Sequence, residues 1–316
     1  MRGCAWPAGA GVSYPRADPS DFARLPVDTW GTAQIPATVR LELVGDAETI
    51  ELGYRTDTDD LGYRGPRAGT TFALWRGGTC VDEVPAKLGV GRVRLALGDA
   101  TDTVAVVYLP EGMKPTLLSI EAHGGSIEPA PRGPRWVAYG DSILEGWIAS
   151  GPAGSWPAIA ARTHGLDVVN LGYAGSARGE IVSAEHLAGI EADVISISHG
   201  TNCWTRTPHS FDQMLANTTA FLDVVREGHP DTPIVVCTPV LRPDAEETPN
   251  RLGATLRDIR AAIDRAARGR DDDRLTVVDG DGLLTAELLP DGIHPGDEGH
   301  EILARAFGGA VAGALA

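Results

Sequence analysis

The chain has 316 residues, 43% of them hydrophobic and 22% charged, with a formal net charge of −16. This is the composition of a globular protein, long enough for two structural units or one large one. The negative charge argues against a general nucleic-acid or anionic-membrane surface, because both need clustered cations.

Residues 1–20 contain Pro, Gly and Asp and lack the apolar core of a secretory leader, so the expectation is a chain without a signal peptide, placed in the cytoplasm. No stretch is long and apolar enough to span a bilayer. Cys4, Cys80, Cys203 and Cys237 are scattered with no ligand spacing and read as reduced, mostly buried thiols. Residues 1 to about 35 read as an irregular arm.

From Ala37 onward, apolar and polar residues alternate in short runs. Val39, Leu41 and Leu43 lead, followed by Ile50 and Leu52 and by runs 71–75, 93–97, 103–109 and 117–121. Such runs, separated by Gly, Asp and Pro turns, predict an antiparallel β-sandwich over residues 1–130. No helical period of useful length precedes residue 130. The proline-dense segment 129–134 predicts an extended linker.

After it, apolar runs at 136–139, 167–171, 193–198, 233–238 and 275–278 are nearly continuous in hydrophobic character. Strands buried on both faces look like this. Helical segments at 155–164, 180–190, 209–227 and 248–268 lie between them, and a last helix is predicted from about 297 to 311 with Asp297 as N-cap. Strict alternation predicts an α/β unit over residues 135–316, with a parallel sheet covered on both sides.

In such a sheet, sites form beyond the carboxyl ends of the strands. The first strand ends in Gly140-Asp141-Ser142. A serine at a strand-to-helix turn is well placed as a nucleophile, and equally well as an ordinary N-cap. The second strand leads to Asn170-Leu171-Gly172-Tyr173-Ala174-Gly175 and the third to Gly200-Thr201-Asn202. Near the end stand Asp291 and His294. His294 can accept the Ser142 proton while Asp291 holds its other nitrogen; equally, Asp291-Gly292 is a plain turn and His294 a surface residue. Gly175 can offer a bare backbone N–H, and Asn202 a side-chain amide.

Together, and in this order, the four clusters resemble the SGNH (GDSL) hydrolase family over residues 135–316. The resemblance implies a flavodoxin-like three-layer α/β/α fold with a five-stranded parallel sheet. It implies catalytic Ser142, Asp291 and His294, an oxyanion hole of Ser142, Gly175 and Asn202, and no metal or organic cofactor. The resemblance also implies that the oxyanion glycine is Gly175 rather than Gly172. Cys203 stands where many family members have Asp. With the β-sandwich in front, the chain further resembles bacterial esterases bearing an N-terminal jelly-roll. Some of these deacetylate carbohydrates, and others transfer acyl groups to alcohols. The expectation is therefore a serine esterase acting on a small-molecule or carbohydrate ester. An acyltransferase with the same triad and an inactive carbohydrate-binding protein are the alternatives.

Trp147, Tyr173 and Trp204 lie within a few residues of these clusters and either line an acyl or sugar pocket or pack the loops. Trp156 is expected in the core and His300 in a loop-to-helix contact. Glu145 is expected in solvent or as a first-turn acid. His199 is expected to be a structural or pocket residue rather than a base. His164, His186, His209 and His229 show no metal-ligand grouping.

Overall fold

The computed structural model describes residues 1–62, 69–98 and 103–316. Its N-terminal part is a β-sandwich. One sheet has the order β4-β3-β6-β1-β8 and the other β5-β2-β7. The strands are β1 (Arg40–Gly45), β2 (Thr49–Thr56), β3 (Thr71–Arg76), β4 (Thr79–Pro85), β5 (Gly89–Ala96), β6 (Ala105–Tyr108), β7 (Pro115–His123) and β8 (Ile127–Pro129). All pairings between them are antiparallel. The alternating residues behave as expected: Leu41, Leu43, Ile50, Leu52, Phe72, Leu74, Val93 and Leu95 meet in one core between the sheets.

The second part is a parallel sheet of order β10-β9-β11-β12-β13. Its strands are β9 (Arg135–Gly140), β10 (Asp167–Gly172), β11 (Val194–Ser198), β12 (Ile234–Cys237) and β13 (Leu275–Val278). In strand sequence this is 2-1-3-4-5, the flavodoxin-like order, with the switch point beside β9. Helices α3 (Trp156–His164) and α8 (Asp297–Leu303) cover one face, where Trp156, Ala160, Leu303 and Phe307 meet Trp136 and Val168. Helices α4 (Ile181–Ala188), α6 (Phe211–Gly228) and α7 (Leu256–Arg268) cover the other, with Leu187, Phe221 and Ile259 against Val137, Tyr139 and Ile197.

Four expectations need correction. The arm is not wholly irregular: it carries helix α1 (Val27–Ala33), and Ala17, Leu25 and Ala33 join the core beside the parallel sheet. The segment expected as linker, 129–134, begins inside a strand: Pro129 ends the edge strand β8, paired with β1; proline is tolerated at such an edge. Helix α7 starts at Leu256 rather than 248 because Thr255 and Asp258 form a capping box there. Asp297 is the first residue of α8, after N-cap Gly296, and its carboxylate accepts from the Ser150 N–H at 2.8 Å. After α8 the chain continues through a π-turn (Ala304–Gly308) and helix α9 (Gly309–Gly313). Among the described residues, no helix is long and apolar enough to cross a membrane.

The two parts are joined by buried polar contacts as well as by chain. Arg40 of β1 donates to the carbonyls of Leu166 and Val168 and pairs with Asp167 at 3.5 Å. Tyr108 of β6 accepts from Arg162 of α3 at 2.7 Å.

Candidate active site

Strand β9 is buried over its last five residues and ends where β11 runs close beside it. A side chain at Gly140 would strike the Ser198 carbonyl oxygen, so glycine is required there. Asp141 follows in extended conformation and caps the one-turn helix α2 (Ser142–Glu145), its Oδ1 accepting from the Ile143 N–H at 3.0 Å. Burial pushes the Asp141 carboxyl up to about 6, and the Ile143 N–H and the nearby His294 and Arg242 side chains offset part of that rise. Ser142 is thus the first helical residue. The turn ends at Gly146, with φ of 100°, a left-handed conformation that suits glycine.

The loop before α8 brings back the partner. His294 Nε2 lies 2.8 Å from Ser142 Oγ. Its Nδ1 lies 2.6 Å from Asp291 Oδ2. Asp291 Oδ1 in turn accepts the N–H groups of Ile293 at 3.0 Å and His294 at 2.7 Å. Burial pushes the Asp291 carboxyl up, but the His294 side chain and these two N–H donors outweigh it, and the net shift is downward. A carboxylate on Nδ1 makes that nitrogen the protonated one and leaves the Nε2 lone pair facing the serine hydroxyl.

The two other clusters flank the serine, because β10 and β11 are the neighbours of β9. Gly175 has φ of 72°. No protein acceptor takes the N–H of Ser142 or of Gly175 among the described residues. Asn202 is buried, and its amide reaches the Ala177 carbonyl at 3.3 Å, tying the third cluster to the second. Gly172 lets β10 approach α2, since a side chain there would strike the Glu145 amide nitrogen at 2.5 Å. Asn170 stitches the same two elements, donating to the Leu144 carbonyl at 2.9 Å and accepting from the Gly172 N–H at 2.8 Å.

The aromatic residues separate. Trp147 stacks on His294. Trp204 is half-buried beneath the Arg242 guanidinium, 4.9 Å from its ring centroid, and donates to the Thr248 carbonyl. Tyr173 turns inward instead: it is 1% exposed, lies in the core and donates its hydroxyl to the Arg16 carbonyl at 2.6 Å. It therefore braces the loop and lines no open pocket. His300 is fully buried. Its Nδ1 accepts from the Trp156 N–H at 3.2 Å, so Nε2 carries the proton and donates to the Trp147 carbonyl at 3.0 Å. Cys203 is buried, and burial pushes its thiol far up, which removes the thiolate that nucleophilic attack would need. His199 is buried against Tyr139 and Phe221.

Glu145 stands in the first turn of α2, as one of its two expectations had it, but not in solvent. It is fully buried, facing the equally buried Arg16 of the arm at 3.4 Å. Sequence reasoning missed this pair because Arg16 lies in a stretch without periodicity. A second arginine, Arg206, stands with its guanidinium within 4 Å of where a Gly175 side chain would be. A cleft of about 700 Å³ lies elsewhere, lined by Trp75, Cys80, Ala153, Arg162 and Glu301, between the sandwich and helices α3 and α8. It does not include Ser142, Asp291 or His294.

Residues 138–302, more than half of the chain, match the GDSL-like lipase/acylhydrolase family. The chain belongs to that family. Likeness to solved structures runs beyond the matched segment. The salicylyl-acyltransferase SsfX3 from a tetracycline biosynthetic pathway is 27% identical, with a TM-score of 0.82 over 97% of this chain and 92% of its own. A protein from Bacteroides ovatus described as a GDSL-like lipase is 23% identical, with a TM-score of 0.82 over 99% and 95%. A family two carbohydrate esterase from Clostridium thermocellum is 15% identical, with a TM-score of 0.63 over 86% and 90%. The last two show the shared fold. No curated protein matches in sequence.

Proposed function

We propose that this GDSL-family protein is a serine esterase working through a covalent acyl-serine intermediate. The observation that carries the reading is the unbroken line from Ser142 Oγ through the His294 ring to Asp291. Ser142 attacks an ester carbonyl as His294 Nε2 takes its proton, and Asp291 steadies the imidazolium. The oxyanion is held by the N–H groups of Ser142 and Gly175 and the Asn202 amide. His294 then protonates the leaving alcohol. Water, deprotonated by the same nitrogen, attacks the acyl-serine carbonyl, and the carboxylic acid leaves as Ser142 regains its proton. No step calls on a metal or organic cofactor. Residues 135–316 form the catalytic unit in this reading, residues 1–130 the accessory part, and the arm serves the former.

The test is an acyl-chain series of aryl esters assayed with wild type and Ser142→Ala in parallel, alongside labelling by a fluorophosphonate. Ser142→Ala should lose turnover and labelling while keeping its fold. Wild-type turnover in that variant would sink the assignment, and failure to label the wild type would revive the inert carbohydrate-binding alternative.

A second reading keeps every residue and changes the acceptor. It is favoured by the near full-length likeness to an acyltransferase. An alcohol then replaces water in the second step. Product partition decides between them: a new ester formed at the expense of free acid, when alcohols are added, identifies a transferase.

A further inference from the structure

The pair Arg16–Glu145 has no part in the bond-making steps, yet both side chains are wholly excluded from solvent. Isolated buried charges are strongly disfavoured, so their surroundings should show what they do. Glu145 sits three residues after the serine, at the end of α2. Its Oε2 accepts the Ala174 N–H at 2.7 Å. Ala174 directly precedes Gly175.

Arg16 reaches the same loop from the arm. Its Nη1 donates to the carbonyls of Asn170, at 3.2 Å, and Gly172. Its Nε and Nη2 donate to the carbonyls of Ile35 and Thr32, and Nη2 also faces Glu145 Oε1 at 3.4 Å. The guanidinium lies near the Tyr173 ring, 5.6 Å from its centroid, while the Tyr173 hydroxyl donates to the Arg16 carbonyl. The chain from Gly172 to Ala174 is thus pinned at successive residues. On its far side, Arg178 donates to the Gly175 carbonyl at 3.3 Å. The Gly175 N–H, in the middle of this bracing, is left without a protein acceptor among the described residues.

We infer that Glu145 is a positioning residue for the oxyanion loop, and that Arg16 of the N-terminal arm is the countercharge that holds it there. The inference rests on the acyl-transfer reading of Ser142. Glu145 shares its one-turn helix with the nucleophile, so its bond to Ala174 fixes the Gly175 N–H relative to Ser142. An oxyanion donor acts only when held near 3 Å from the developing charge. The arm thereby becomes part of the catalytic unit, although it precedes the sandwich in sequence.

The experiment compares Glu145→Gln with Glu145→Met in the full-length chain, together with the double variant R16M/E145M. Both single changes remove the charge and leave Arg16 uncompensated, but only glutamine can still accept from the Ala174 N–H. Initial rates on an aryl ester, fluorophosphonate labelling rates and thermal midpoints are measured for each. The expected result is a kcat for E145Q within several-fold of wild type, and a kcat for E145M lower by about 10²-fold at nearly constant KM, the loss typical of one oxyanion donor. R16M/E145M should recover thermal stability relative to E145M, because no unpaired charge is left buried, without recovering kcat. Equal kcat in E145Q and E145M, or a double variant with restored kcat, would overturn the inference and leave the pair a purely structural one. Absence of Ser142-dependent turnover in the wild type would overturn the acyl-transfer reading, and this inference with it.

Discussion

Trp147 stacks on His294, with ring centroids 5.3 Å apart and 30° between the planes. The indole closes one face of the imidazole, while Asp291 fixes its edge at Nδ1. Trp147 is itself fixed from behind, where His300 donates to its carbonyl. The ring that is proposed to move protons is thus restrained in both tilt and rotation.

Removing that restraint should cost rate rather than binding. Trp147→Ala is expected to lower kcat about ten-fold, consistent with the sensitivity of proton transfer to small misplacements. Trp147→Phe, which keeps a stacking face, should lose much less. A ratio of kcat values near one between these two variants would show that stacking is not what holds His294.

The three residues of the relay should not be equal. Ser142→Ala and His294→Ala each remove a group that makes or breaks bonds and should cost about 10⁶ in kcat, as in other hydrolases of this design. Asp291 is 38% exposed at its side chain, so solvent can replace part of its role. Asp291→Asn should therefore cost less, about 10³–10⁴. Single-turnover acylation rates give the ranking directly, and an Asp291→Asn loss as large as that of Ser142→Ala would contradict it.

Gly175→Ala and Asn202→Ala test the oxyanion donors. Gly175 has φ of 72°, which an L side chain adopts only with strain, although the new methyl would meet Arg206 only at ordinary contact distance. Each substitution should lower kcat about 10²-fold or more with little change in KM. A rise in KM at constant kcat would instead mean that these groups bind ground-state substrate.

Two buried groups give stability opposite dependences on pH. Burial lowers the His199 imidazole from 6.5 to about 4. The unfolded chain therefore binds a proton that the native ring refuses, and this contribution is complete above 6.5 and lost as pH falls through 4, on the order of 3 kcal/mol in all. Asp141 is raised from 3.8 to about 6; its contribution is complete below 3.8 and lost as pH rises through 6. Urea unfolding of His199→Phe should respond less to acidification from neutral pH to pH 4 than wild type does. Asp141→Asn should gain on wild type at neutral pH relative to acid. Parallel curves for His199→Phe and wild type would refute the first assignment.

Cys203→Ala should leave kcat within a few-fold of wild type, since its thiol is held protonated by burial. A loss comparable to that of Ser142→Ala would require a direct part for the sulfur.

Much of this architecture is legible in the residues because it follows from periodicity. The sandwich core and the five parallel strands each repeat a simple apolar pattern, and the four polar clusters fall at strand ends in a fixed order. What escaped has a physical reason in each case. Strand β4 is an edge strand with mostly exposed residues, so no hydrophobic alternation announces it. Helix α1 buries only Thr29 and Ala33, too little for a helical stripe. The burial of Glu145 depends on a partner far away in sequence, inside a segment with no pattern, and the inward turn of Tyr173 depends on that same residue's carbonyl. Local sequence carries information about faces, not about which distant charge will cover them.

The arm also imposes an order of events on the molecule's assembly. Arg16 is made before the sandwich, yet two of the carbonyls it binds belong to residues 154 and 156 positions later. The β-sandwich is made in between and can fold while Arg16 still lacks these partners, since domains generally form in the order they are synthesised. Maturation of the serine's surroundings must then wait for Arg16 to meet residues made more than a hundred positions later. A ribosome-bound nascent chain ending before strand β10 should hold helix α1 open to protease, and its protection should appear only once that strand has left the exit tunnel.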